Sequence, residues 1–175
     1  FGLPCKTWAS AGRLNHGTRR KGAEMGDGSL AREVEANHQL HMIFLMCLEL
    51  VARGGHFSIE NPGPSYVFGT KLVGALEATV ECCSVDFDQC CYGLSFPGCE
   101  KHVYCKKHTR IISSMGTISS LERRCGGTRA EHEHMHAWGS YKHEGRSISR
   151  ASMAGTYPPQ LCRAWARAVN LAINS

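Results

Sequence analysis

The sequence predicts an α/β protein, and three observations carry that prediction. Apolar residues Ala36, Leu40, Ile43, Cys47 and Leu50 recur at spacings of four and three, the period of one helix face. Phe57-Ser58-Ile59-Glu60 alternates apolar and polar residues and then runs into Asn61-Pro62-Gly63-Pro64, a strand followed by a turn. A further helix and strand follow, and an order of helix, strand, helix, strand implies a parallel sheet rather than a bundle or barrel. At 175 residues the chain has the length of one domain with a real core, and no internal repeat or interdomain linker interrupts it.

Taken in order, residues 1–28 begin with Gly-Leu-Pro-Cys-Lys-Thr-Trp and become polar, glycine-rich and basic, which predicts a loop-rich N-terminal segment. Ser29 offers an N-cap to a helix over about 30–53 that Gly54-Gly55 ends. The strand at Glu60 should stop at Pro62 and Pro64, which lack backbone donors. Glu60 then lies at a strand's carboxyl end, where open α/β sheets place their chemistry. Leu72, Val73 and Leu76 mark a short helix over about 70–78, and residues 79–87 form a strand apolar on both faces. Residues 86–107 read as irregular, Arg110-Ile111-Ile112-Ser113 as a third strand, and Thr117 as the cap of a helical turn. The charged, histidine-rich segment 126–150 reads as a loop. Pro158-Pro159 can open a last helix with a stripe of Leu161, Trp165, Ala168 and Ala172.

Composition removes some functions. The longest apolar run, 42–51, is interrupted by Glu49 and is far shorter than the ~20 residues a bilayer span needs. A net charge of +5 with ten histidines admits a nucleic-acid partner without demanding one. The densest basic run is Arg19-Arg20-Lys21, and aromatic residues do not interleave with the basic stretches, so a base-stacking platform is not expected. There is no phosphate-cradling Gly-x-x-x-x-Gly-Lys loop and no nucleophile elbow. Of ten cysteines, two pairs are adjacent (Cys82-Cys83 and Cys90-Cys91), which suits core positions and favours a reducing intracellular compartment. No secretory-type leader is read at the start.

Two constellations could carry chemistry. One is the order Pro4-Cys5-Lys6, Glu60-Asn61-Pro62, then Lys106-x-His108-x-Arg110. In that order it resembles the catalytic half of the S-adenosylmethionine-dependent DNA cytosine-5 methyltransferases, in a divergent branch with a Glu-Asn-Pro signature. Lys6 stands where that family has glutamine, Pro62 where it has valine, and Lys106 and His108 where it has glutamine and arginine. Arg146 to Tyr157 and the last helix resemble the family's closing motifs. The resemblance implies a partial Rossmann-like methyltransferase sheet of about three to four strands with flanking helices, the cofactor-binding half being absent. It implies that Cys5 attacks cytosine C6, that Glu60 holds the base, and that Arg110 positions the substrate, with Asn61, Lys6, Ser65 and His108 lining it. The implied methyl donor is S-adenosylmethionine and the implied substrate a base of a nucleic acid. Without the resemblance, Cys5 is an ordinary loop thiol and Glu60 a solvated acid at a turn.

The other constellation is Cys99-x2-His102-x2-Cys105-x2-His108, followed by Cys125 and by His132, His134 and His136. Thiolates and imidazoles at this density can close a tetrahedral zinc site, although the spacing matches no standard zinc module. The preferred ligands are Cys125, His132 and His134, completed by Cys105 or Cys99. Three functions therefore compete: a methyltransferase-like enzyme, a non-catalytic accessory subunit whose truncated sheet is covered by other protein subunits, and a zinc-stabilised interaction module.

Overall fold

The computed structural model describes residues 1–127 and 132–174 and is a mixed α/β structure with small sheets. The chain forms two compact units, residues 1–84 with 110–116 and residues 85–109 with 117–175, where the sequence suggests one domain. The part of the expected histidine-rich loop at 128–131 lies outside the described residues.

Unit 1 opens with a one-turn helix, α1 (Cys5–Trp8), and a 3-10 helix, Ser10–Asn15. The N-terminal segment is thus more ordered than the expected loop, and the reason is polar anchoring. Arg19, only 2% exposed, lies 3.5 Å over the Trp8 ring and donates to the Glu24 and Glu33 carbonyls and to Asn37 Oδ1. Of the predicted stripe, helix α2 (Ala31–Ala52) buries Ala36, Leu40 and Cys47 and half-buries Ile43, but Leu50 is exposed, and the N-cap residue is Leu30 rather than Ser29. Its outer face leaves Met42, Leu45, Met46 and Leu50 exposed.

Strand β1 (Ser58–Pro62) has Ile59, Glu60 and Asn61 all buried. Contrary to the sequence reading, the strand includes Pro62, and Glu60 is at its middle. A proline is tolerated there because β1 is an edge strand of its sheet. Thr70 caps α3 (Lys71–Thr79) by accepting from the Val73 amide at 3.3 Å. Strand β2 (Cys83–Asp88) starts later than the predicted strand. Leu3, Trp8, Leu40, Phe57, Ile59, Val73 and Leu76 meet in one apolar core in this unit.

In unit 2 a 3-10 turn, Gln89–Tyr92, is followed by β3 (Val103–Cys105). Strand β4 (His108–Ser113) lies between β1 and β2 in a three-stranded sheet, and the division of the chain into units falls inside β2 and β4. Thr117 belongs to a 3-10 turn, Gly116–Leu121, and its Oγ1 donates to the Ala168 carbonyl at 2.8 Å.

The segment read as a histidine-rich loop contains three strands. Strand β5 (Glu133–Met135) pairs in parallel with β3, and β6 (Ser140–His143) pairs antiparallel with β7 (Arg146–Ser149). The two residues between β6 and β7, Glu144 and Gly145, have φ of 49° and 75°, the positive values of a tight hairpin turn. Helix α4 (Arg150–Met153) and helix α5 (Pro159–Ile173) complete the unit. Of the predicted stripe, Leu161 and Ala168 are buried, and α5 packs on the Gln89–Tyr92 turn. No helix among the described residues is long and apolar enough to cross a membrane.

A candidate metal centre and the anchored Glu60-Asn61 motif

The local fold of unit 2 brings four metal-ligating side chains together. Cys90 sits in the 3-10 turn that follows β2, and Cys125 follows a bridge between Phe87 and Arg123. His132 and His134 flank and occupy the start of β5, whose register against β3 sets Tyr104 beside His134. One donor atom from each of Cys90, Cys125, His132 and His134 lies within 4.8 Å of the others. Cys125 Sγ is 3.3 Å from His134 Nε2 and 3.6 Å from His132 Nε2, and the two Nε2 atoms are 3.0 Å apart.

These separations can be compared with what one ion requires. With metal–sulfur and metal–nitrogen bonds of ordinary zinc length at tetrahedral angles, a sulfur and a nitrogen are about 3.6 Å apart and two nitrogens about 3.3 Å apart. The separations among Cys125, His132 and His134 lie within a few tenths of an ångström of both, so one ion fits among these three donors, with Cys90 Sγ within 4.8 Å of each.

Asp88 ties the segments of the cluster to each other. Its amide donates to the Arg123 carbonyl at 2.8 Å, and its Oδ2 accepts from the Cys125 amide at 2.9 Å. Its Oδ1 is 3.4 Å from His108 Nδ1, while His108 Nε2 is 3.2 Å from Asp86 Oδ1. Arg124 Nη1 lies 3.1 Å from the same His108 Nδ1. Tyr104 packs edge-on against the His132 ring, with centroids 5.0 Å apart. Burial, His132 and Lys106 each push the His134 pKa down, which favours the neutral imidazole that ligates metal.

The fourth member of the cluster corrects the expectation from spacing. Cys105 is fully buried with Leu94, Phe96 and Ala154 in an apolar cluster that Cys99 borders, and burial pushes its thiol up to about 11. Neither belongs to the ligand group; Cys90 does. Its signal in the sequence was the vicinal pair Cys90-Cys91 just after a strand, which reads equally well as two core positions.

The second constellation is divided between the units. In unit 1, Asn61 Nδ2 donates to the Leu3 carbonyl at 3.0 Å, the Glu60 amide to the Phe1 carbonyl at 2.9 Å, and Ser65 Oγ to the Trp8 carbonyl at 3.4 Å. The residues that flank Pro4-Cys5, namely Phe1, Leu3 and Trp8, are therefore the acceptors that anchor Glu60, Asn61 and Ser65. Cys5 and Lys6 are exposed, whereas Glu60, Asn61 and Ser65 are buried. Asn61 Oδ1 is buried with no hydrogen-bond partner among the described residues. The Arg110 guanidinium lies 5.6 Å over the Phe68 ring. His108 belongs to unit 2, in the Asp86–Asp88 network already described. Comparison of the chain with protein-family models, with curated proteins and with solved structures returned no match.

Proposed function

We propose that the chain is a zinc-binding module in which Cys90, Cys125, His132 and His134 hold one structural Zn2+. The observation that carries this reading is the convergence of four donors from three segments within 4.8 Å. Two thiolates and two imidazoles favour zinc over the hard cations, which take oxygen ligands. Four protein ligands leave no open position for a reacting water, which supports a structural role rather than a hydrolytic one. When bound, zinc supplies a redox-inert cross-link between the three segments. The chain's own residues prepare the site: Asp88 fixes the Cys125 backbone, β3 fixes the register of His134, and Tyr104 fixes the His132 ring.

The test is titration of the full chain with cobalt(II) as a spectroscopic substitute. One equivalent should produce intense tetrahedral d–d absorption and a thiolate-to-cobalt charge-transfer band. Both should disappear on adding zinc and weaken in Cys90→Ala and Cys125→Ala. Weak octahedral absorption, or a spectrum unchanged by both substitutions, would overturn the assignment.

A second reading rests on the hydrogen bonds by which Glu60 and Asn61 hold Phe1 and Leu3, just before Pro4-Cys5. It takes unit 1 as the catalytic part of a methyltransferase-like, Rossmann-related sheet acting on a nucleic-acid base. The exposed Cys5 thiolate would add to C6 of a flipped cytosine while Glu60, one residue from the anchored Asn61, holds N3. S-adenosylmethionine would supply the methyl group, and a longer natural form of the chain would supply its binding half. Labelled methyl transfer to DNA by that form should fall at least a hundredfold in Cys5→Ala and in Glu60→Gln. Activity retained by either variant would leave unit 1 as a non-catalytic subunit that packs against other proteins.

A further inference from the structure

Unit 2 presents an exposed aromatic pair in a polar setting. Trp138, between β5 and β6, is 71% exposed and stacks on the exposed His136 ring, with centroids 5.4 Å apart and planes inclined by 27°. Gly139, at φ 82°, turns the chain immediately after it, and the Gly139 carbonyl accepts from the Arg150 amide at 3.0 Å, closing the base of the loop. The hairpin that follows has one wholly polar face. Ser140 pairs with Ser149 and Lys142 with Ser147, and all four are exposed, whereas Tyr141 and Ile148 share the half-buried opposite face.

A flat aromatic face left in water is a surface on which a ligand ring can stack. What surrounds it indicates the partner. The Trp138 ring stacks on an imidazole, and Gly139 joins it to a hairpin face made of hydroxyls and one amine. Hydroxyl and amine donors suit phosphate, and an open indole face suits a base of any sequence. The charge agrees: unit 2 holds eleven of the chain's 20 Lys and Arg and seven of its 15 Asp and Glu, so four of the five net positive charges belong to it.

We infer that the Trp138 loop and the Ser140–Lys142–Ser147–Ser149 face bind single-stranded nucleic acid, with a base stacked on Trp138 and the backbone phosphates on the hairpin. The proposal is independent of the methyltransferase reading, since every residue it uses is in unit 2.

The test uses the full chain as purified with zinc, and fluorescence-labelled 20-nucleotide single-stranded DNA, single-stranded RNA and duplex DNA of matched sequence. Heparin serves as a polyanion without bases. Either single strand should bind at least tenfold more tightly than the duplex and quench tryptophan fluorescence, while heparin leaves the emission unchanged. Trp138→Ala should weaken single-strand binding roughly 5- to 100-fold, and Trp138→Phe should restore most of it. Lys142→Ala should lower the slope of log affinity against log salt by about 0.7. Each variant is compared with the parent by far-ultraviolet circular dichroism so that a folding defect is seen as such. Equal affinity of the parent and Trp138→Ala, equal binding of duplex and single strand, or quenching by heparin would overturn the proposal, as would absence of binding at low salt.

Discussion

Removing the Asp88 carboxylate tests how the metal centre is held without touching a ligand. In Asp88→Ala the Cys125 amide loses an acceptor at 2.9 Å, and the side chain that made the contact is only 4% exposed. A buried donor left without a partner costs about 1–3 kcal/mol, and a hydrogen bond to a charged acceptor contributes about 1.5–3 kcal/mol. Since Cys125 must be at its observed place for its thiolate to reach His132 and His134, most of that cost should appear as lost metal affinity. At about 1.4 kcal/mol per factor of ten, zinc binding should weaken roughly 10- to 100-fold, the range typical of groups that orient ligands. The assay is competition for zinc against a chelating dye, with stoichiometry and affinity fitted separately. One zinc per chain should still bind to Asp88→Ala, only more weakly. Asp88→Asn keeps one acceptor oxygen and should lose less than tenfold. An affinity within twofold of the parent in Asp88→Ala would refute the claim that this carboxylate positions Cys125.

Three further outcomes concern stability and reactivity. Gly26 has φ 75°, and a Cβ there would lie 2.3 Å from Glu33 Oε2 and 2.6 Å from Thr18 Oγ1, so Gly26→Ala should cost roughly 2–4 kcal/mol in denaturant unfolding. Gly22, at φ 83° with nothing within 4 Å of a Cβ, should lose only the conformational share, about 1 kcal/mol, and equal costs at the two sites would refute the packing argument. Alkylation of the native chain followed by mass spectrometry should label the exposed Cys5 and Cys162 and spare the buried Cys47 and Cys105, whose thiols burial pushes up to about 11. Because the fold favours their neutral form and the unfolded thiol ionises near 9.0, stability should hold below about pH 9 and fall as pH rises towards about 11. Cys47→Ala should flatten that decline; an unchanged slope would count against it.

The elements legible in the sequence were those whose local chemistry and packing agree. Helix α2 showed its buried face in the spacing of Ala36, Leu40 and Cys47, α3 in Val73 and Leu76, and α5 in Pro159 and the Leu161–Ala168 stripe. Strands β5 to β7 were hidden because they are short, polar and rich in histidine, with no β-branched core face to give a period of two. Their one local sign was Glu144-Gly145, a two-residue turn between Tyr141-Lys142-His143 and Arg146-Ser147-Ile148. Within the candidate site, Cys125, His132 and His134 are close enough in sequence for their spacing to suggest a cluster. Cys90 is not, because what brings it there is the Asp88 link between the β2 turn and the Cys125 segment, a tertiary bond with no sequence period. The apolar setting that removes Cys105 from the cluster is equally tertiary, made by Leu94, Phe96 and Ala154.

The most direct measurement of the central claim is the metal content of the full chain, by plasma mass spectrometry, before and after exhaustive chelation. Zinc held by Cys90, Cys125, His132 and His134 predicts one equivalent per chain in the parent and clear loss in Cys125→Ala with His134→Ala. It also predicts a melting transition that drops on chelation and returns when zinc is restored. A folded chain that carries no zinc after purification, and whose melting temperature neither chelator nor added zinc alters, would contradict it.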